Sequence, residues 1–173
     1  MGYKEELISK IQNKQAVIGI VGMGYVGLPL GLAYAEQGFS VLGFDVDPNN
    51  IPYLTQGKSY IRHIPSEHIK KAVDEGKFDA TTDFSRLPEV DAIIICVPTP
   101  LDEHREPDMK YIVDTAKVIQ QYLRAGQIVT LESTTYPGTT EEILLPMFEK
   151  EVETDSVLVT EGVKENGEAE KLK

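Results

Sequence analysis

Residues 16–31 read AVIGIVGMGYVGLPLG. A short aliphatic run, AVIGIV (16–21), stops on Gly22. Gly22, Gly24 and Gly27 then stand at GxGxxG spacing. Such a triplet by itself is common and can be no more than a flexible turn. Here it follows a strand-like run and opens a helix-like stretch, YVGLPLGLAYAEQG, that closes at Gly38. Pro29 falls in the first turns, where its missing N–H costs least. A strand that turns tightly into a helix is the first unit of a doubly wound α/β sheet.

The rest of the chain repeats that alternation. Leu7, Ile8 and Ile11 share one face of an amphipathic helix over residues 3–14. A second strand is expected over 40–46, and Pro48 with Asn49 and Asn50 turns into a short helix. A helix follows over 65–76, beginning at Pro65 or Ser66. Strands are then expected at 78–83, 91–97 and 127–133, with a helix over 108–126 that carries Ile112, Ala116, Ile119 and Leu123 at helical spacing. A last helix over 139–150 opens with Thr139, Thr140 and paired glutamates. The reading is a parallel, doubly wound sheet of Rossmann type with helices on both faces, filling residues 1–150. SVLV (156–159) is expected as one last strand, and the charged stretch from Thr160 as a frayed end.

The chain's 173 residues, 41% of them hydrophobic, suffice for one domain with a real core. No apolar run reaches membrane-spanning length and no signal segment is apparent, so no membrane partner is expected. The net charge of −11 argues against nucleic acid or an anionic membrane as partner. A single cysteine, Cys96, excludes an intrachain disulfide and agrees with a reducing, cytoplasmic setting.

In a dinucleotide cradle each glycine has a task. Gly22 allows the turn, Gly24 clears space for a pyrophosphate, and Gly27 lets helix and strand pack closely. The helix N-terminus offers free N–H groups to phosphates. Such a site also needs an acid about 20 positions on, at the end of the second strand, and Asp45 stands there. A carboxylate at that place repels a 2′-phosphate, so NAD is favoured over NADP. Thr99, in CVPTP where the fourth strand meets its loop, is a candidate cofactor contact; a hydroxyl in a proline-bounded turn fits the spacing equally. Ser133, Thr134 and Thr135 end the fifth strand on the same edge, within reach of a nicotinamide or substrate oxygen. Thr139 and Thr140 suit helix capping, and Glu141 and Glu142 a helix start. Cys96 reads as a core residue before a nucleophile. His63, His68 and His104 lack metal-ligand spacing and default to the surface; no metal is expected.

GMGYVGLPL, GFDVD, ATTDFSRL, DAIIICVPTPLDEHREPD and LESTTYPGTTEE, in that order, resemble the NAD-binding domain of the UDP-glucose/GDP-mannose dehydrogenases over residues 1–149. Within that family the likeness is nearest to the UDP-N-acetylglucosamine 6-dehydrogenases of bacterial polysaccharide synthesis. The resemblance implies oxidation of C6 of a UDP-sugar from alcohol to carboxylate with two NAD, through an aldehyde and a cysteine thioester. It implies that Gly22, Gly24, Tyr25 and Val26 form the pyrophosphate loop and that Asp45 binds the ribose. It places Asn50 near the adenosine, where relatives often carry a basic residue. It makes Thr99 a cofactor contact. Thr134 would touch the nicotinamide side and help position catalytic water.

The resemblance also has gaps. The family's serine-proline-glutamate-arginine signature, with its catalytic glutamate, is absent from DSVLVTEGVKENG; Glu161 stands only near its place. The family's central helix and second domain, with catalytic lysine, asparagine and cysteine, have no counterpart here, and Cys96 does not match that cysteine. The expectation is a cofactor-binding half, inactive on its own. It would meet its UDP-sugar together with the missing domain, as a homo-oligomer or with a partner chain carrying that domain. A stand-alone NAD sensor or scaffold module is the alternative.

Overall fold

A computed structural model describes residues 2–101, 103, 105, 107–149 and 158–161. Among these described residues six parallel strands form one sheet in the order β3-β2-β1-β4-β5-β6. They are β1 (Val17–Val21), β2 (Ser40–Phe44), β3 (Phe78–Thr81), β4 (Ala92–Ile95), β5 (Ile128–Leu131) and β6 (Leu158–Glu161). The order reverses between β1 and β4, whose registers pair Ile18 with Ala92 and Val21 with Ile95. In such sheets the crevice at this reversal, at the carboxyl ends of the strands, is where ligands bind.

The short apolar runs form strands because both sheet faces are covered. One face packs against α2 (Gly27–Glu36), α3 (Asn50–Thr55) and α4 (Ser66–Asp74), through Leu28, Leu32, Ala35, Leu54, Ile69 and Ala72. The other packs against α5 (Lys110–Tyr122) and α6 (Leu145–Glu149), through Ile112, Ala116, Ile119 and Phe148. Side chains of β1 alternate between the two layers, so Ile18 and Ile20 join the first and Val21 the second.

Several expectations are corrected. In α1 (Tyr3–Gln12) only Leu7 is buried; Ile8 and Ile11 are 44% and 41% exposed. The helix sits at the lower end of the sheet and is held there by charge. Lys10 Nζ meets Asp91 Oδ1 at 2.9 Å, and the same oxygen takes Arg124 Nη2 at 3.0 Å. The helix expected to reach residue 126 ends at Tyr122, because Leu123 is extended and the Arg124 amide donates to Gln127 Oε1 at 2.8 Å. The helix expected from Thr139 starts as a π-helical turn, Thr140–Leu144, before α6. Pro146 has no N–H to donate to the carbonyl four residues back, which favours the wider turn. Thr139 and Thr140 are buried and do not cap it; Thr139 Oγ1 donates back to Tyr136 O at 2.8 Å. Thr160 and Glu161 continue β6 beside Thr130 and Leu131, so the fraying expected from Thr160 does not apply to them. Ser156, Val157, His104 and residues 162–173 lie outside the described residues.

Candidate functional site

The glycine turn lies across the sheet's reversal point. Gly22 has φ +99°, a left-handed conformation, and a Cβ there would stand 2.7 Å from the Cys96 carbonyl oxygen at the end of β4. The Gly22 N–H donates to Phe44 O at 2.8 Å, fastening the turn to β2. A Cβ on Gly27 would fall 1.8 Å from Gly22 O, so the start of α2 rests directly on the turn. Gly24 differs from both: a Cβ there would meet nothing within 4 Å. It faces open space and is followed by Tyr25 and Val26, which are 73% and 55% exposed.

The amides of this turn are sorted. Met23 N–H donates to Asp45 Oδ2 at 2.9 Å, and Leu28 N–H to Gly24 O at 3.1 Å. The N–H groups of Gly24, Tyr25, Val26 and Gly27 find no partner among the described residues. Unpaired amides at the positive end of a helix are an anion site. Asp45 stands beside them just past β2, half-buried, its other oxygen accepting the Asp47 N–H at 2.9 Å. A dinucleotide whose pyrophosphate lay on the amides would have this carboxylate at its side, so the residues present fit such a group. Asn50 opens α3 a few residues on, half-buried, its N–H on Asp47 O at 3.2 Å.

Thr99 and Thr134 follow β4 and β5 on the same edge. At the usual strand spacing β5 lies about 10 Å from β1, on the far side of β4. Of the three hydroxyls after β5, Ser133 is committed to structure: its Oγ donates to Val97 O at 2.8 Å, joining the ends of β4 and β5. Thr134 is exposed, with no side-chain partner among the described residues. Cys96 is buried; burial and the charge of Glu132 push its thiol up to about 12. Such a thiol is protonated and inert at neutral pH. His63 and His68 are exposed. Among the described residues no cluster of histidine, cysteine and acidic side chains could hold a metal, and no helix is long and apolar enough to cross a membrane.

Two groups at the site escape a reading of the sequence. Met23 is fully buried beneath the turn. Tyr60, from the segment between α3 and α4, donates its hydroxyl to the Met23 carbonyl. Nearby, His63 stacks on Tyr25, ring centroids 5.4 Å apart. Lone residues in a connecting segment carry no periodicity by which to find them.

Residues 16–170 match the model of the UDP-glucose/GDP-mannose dehydrogenase family, NAD binding domain. A UDP-N-acetyl-D-glucosamine 6-dehydrogenase of Pseudomonas aeruginosa is 36% identical over 79% of this chain and 32% of its own length. A UDP-N-acetyl-D-mannosamine dehydrogenase of Campylobacter jejuni is 37% identical over 76% of this chain and 32% of its own. The crystal structure of an NDP-N-acetyl-D-galactosaminuronic acid dehydrogenase from Methanosarcina mazei superposes with a TM-score of 0.77 at 35% identity, covering 90% of this chain and 35% of that one. That of a ternary complex of GDP-mannose dehydrogenase from Pseudomonas aeruginosa gives 0.73 at 30% identity, covering 77% and 32%. The chain thus spans about a third of the length of the relatives it matches. With a glycine turn over the sheet's reversal point, unpaired amides and Asp45 beside them, it belongs to the UDP-glucose/GDP-mannose dehydrogenase family, as that family's NAD-binding domain.

Proposed function

We propose that this chain is the cofactor-binding part of an NAD-dependent UDP-sugar 6-dehydrogenase that oxidises a C6 alcohol to a carboxylate. UDP-N-acetylglucosamine or a related UDP-sugar is the substrate class, and cytoplasmic polysaccharide biosynthesis the setting. The observation that carries the reading is the run of unpaired amides from Gly24 to Gly27 beside the Asp45 carboxylate.

Bound NAD supplies the two-electron acceptor of such an oxidation. In this reading the amides of Gly24, Tyr25, Val26 and Gly27 hold the pyrophosphate, and Asp45 accepts hydrogen bonds from the adenosine ribose hydroxyls. Asn50 borders the adenosine. Thr99 contacts the cofactor between β1 and β5. Thr134 offers a free hydroxyl on the nicotinamide side, where it can orient a water molecule. The thiol for the second oxidation comes from the part of the enzyme that follows in relatives, because Cys96 is buried and protonated. The substrate clamp comes from there too, on the same chain, on a partner chain or in a homo-oligomer.

The test is calorimetric titration with NAD, paired with NADH formation from UDP-N-acetylglucosamine. The chain alone should bind NAD and form no NADH, and a separately expressed second domain of a relative should restore turnover. Absence of NAD binding would overturn the reading. Turnover by the chain alone, abolished in Cys96→Ser, would make Cys96 the nucleophile.

A further inference from the structure

Met23, at the first variable position of the glycine turn, is gripped on three sides. Its side chain fills the space beside Gly43 of β2, where a Cβ would meet Sδ at 2.5 Å. Its N–H is held by Asp45, and its carbonyl accepts the hydroxyl of Tyr60. The last contact reaches furthest. The Met23 carbonyl and the Gly24 N–H belong to one planar trans peptide and point in opposite directions. Whatever fixes the carbonyl therefore fixes the direction of the Gly24 N–H. That peptide is otherwise free to turn, since it ends on a glycine with open space around it.

Tyr60 is well placed to hold it. Its segment is anchored in the core by Ile61 and Ile64, 4% and 8% exposed, independently of the hydroxyl. Ser59 braces the base, its N–H donating to Ser66 Oγ at 3.0 Å and its Oγ accepting the Ile61 N–H at 3.1 Å. The Tyr60 ring packs edge-on against Tyr53 with centroids 6.5 Å apart, and His63 of the same segment stacks on Tyr25. Burial, then the charges of Asp45 and Asp47, raise the phenol well above its ordinary value, so the hydroxyl remains a donor across the working pH range.

We propose that Tyr60 is a positioning residue for the dinucleotide: by holding the Met23 carbonyl it aims the Gly24 N–H at the pyrophosphate. The inference rests on the NAD-binding reading above. When the ribose hydroxyls compete for the Asp45 carboxylate, the Tyr60 bond still keeps this peptide from flipping.

The test is Tyr60→Phe, which removes one oxygen and keeps the ring. NAD and ADP-ribose should each bind about fivefold more weakly, the worth of one ordinary hydrogen bond. Adenosine, which lacks the pyrophosphate, should bind unchanged. NMR titration of the folded protein gives all three affinities, and the Gly24 amide resonance should shift in the variant. If Tyr60→Phe also melts lower, the ratio of NAD to adenosine affinity, measured below the transition, still decides. Equal NAD affinity in both proteins overturns the role of Tyr60 alone. An equal loss for adenosine and NAD also overturns it, because the hydroxyl would then act on the ribose pocket. Failure of the unsubstituted chain to bind NAD overturns this inference together with the reading beneath it.

Discussion

Asp45 accepts the backbone N–H of Met23 through Oδ2 at 2.9 Å, joining the end of β2 to the turn after β1. The carboxylate expected to hold a ribose is thus also a brace for the glycine turn. Its second oxygen takes the Asp47 N–H at 2.9 Å. A carboxylate fixed at both oxygens presents its remaining lone pairs in one direction, which lowers the ordering cost of binding.

Asp45→Ala should weaken NAD at least about tenfold, since a charged hydrogen bond contributes roughly 1.5 to 3 kcal/mol. It should also narrow the preference for NAD over NADP, because the repulsion of a 2′-phosphate goes with the charge. Asp45→Asn separates the two effects. It keeps an acceptor for Met23 and loses the charge, so the cofactor preference should narrow with a smaller loss of NAD affinity. Calorimetry with both cofactors decides; a preference unchanged in both variants would remove Asp45 from the ribose site.

Gly24 and Gly27 should separate binding from folding. Gly24→Val adds a side chain where nothing lies within 4 Å, so far-UV circular dichroism should stay native while NAD binding is lost to a blocked pyrophosphate site. Gly27→Ala sets a methyl 1.8 Å from Gly22 O. Overpacking against backbone should cost about 3 kcal/mol and lower the melting temperature. Normal NAD binding by Gly24→Val would mean that the turn is not the cradle.

What the sequence disclosed, it disclosed through periodicity. The apolar runs at 16–21 and 91–97 contain β1 and the shorter β4, both faces of which are covered, and Asp45 sits one residue past β2, where the fingerprint puts its acid. The turn at Gly22 and the close packing at Gly27 were legible because each is a matter of missing volume. Other features leave no such pattern. The Met23 side chain looks like any apolar residue in a loop, yet it is the plug under the turn. Tyr60 reaches Met23 across 37 residues of sequence through one hydroxyl. Leu7, Ile8 and Ile11 suggested an apolar stripe, but α1 buries Leu7 alone of the three and is secured by Lys10 on Asp91, a link that only tertiary placement creates.

The thiol of Cys96 should be silent in the folded protein. Burial and the Glu132 charge push it up to about 12, so at pH 8 almost none is thiolate. Ellman's reagent should report no free thiol at pH 8 within minutes and one per chain in denaturant. Rapid labelling of the native protein would contradict both its burial and its exclusion as a nucleophile.

The last prediction concerns the lower end of the sheet, where Asp91 gathers Lys10 at 2.9 Å, Arg124 at 3.0 Å and the Val17 N–H at 3.0 Å. Burial alone would push this carboxyl up. The Val17 N–H, Lys10 and Arg124 outweigh it and hold Asp91 below its ordinary value of 3.8. A depressed folded value means that the ionised form favours the folded state. Its contribution is complete above about pH 4 and is lost as pH falls through the lower folded value. Lys10 moves the other way: Asp91 raises it above 10.5, so its share is complete below that pH and is lost as pH rises beyond. The cluster should therefore stabilise evenly from about pH 5 to pH 10 and fade at both ends. Asp91→Asn should cost about 2 kcal/mol at pH 7, the scale of a charge-assisted hydrogen bond, since Lys10 and Arg124 keep partial access to water. Urea unfolding of both proteins at pH 7 and pH 3 checks it. The gap between them should shrink at pH 3; a gap of the same size at both would mean that Asp91 acts through packing and not through its charge.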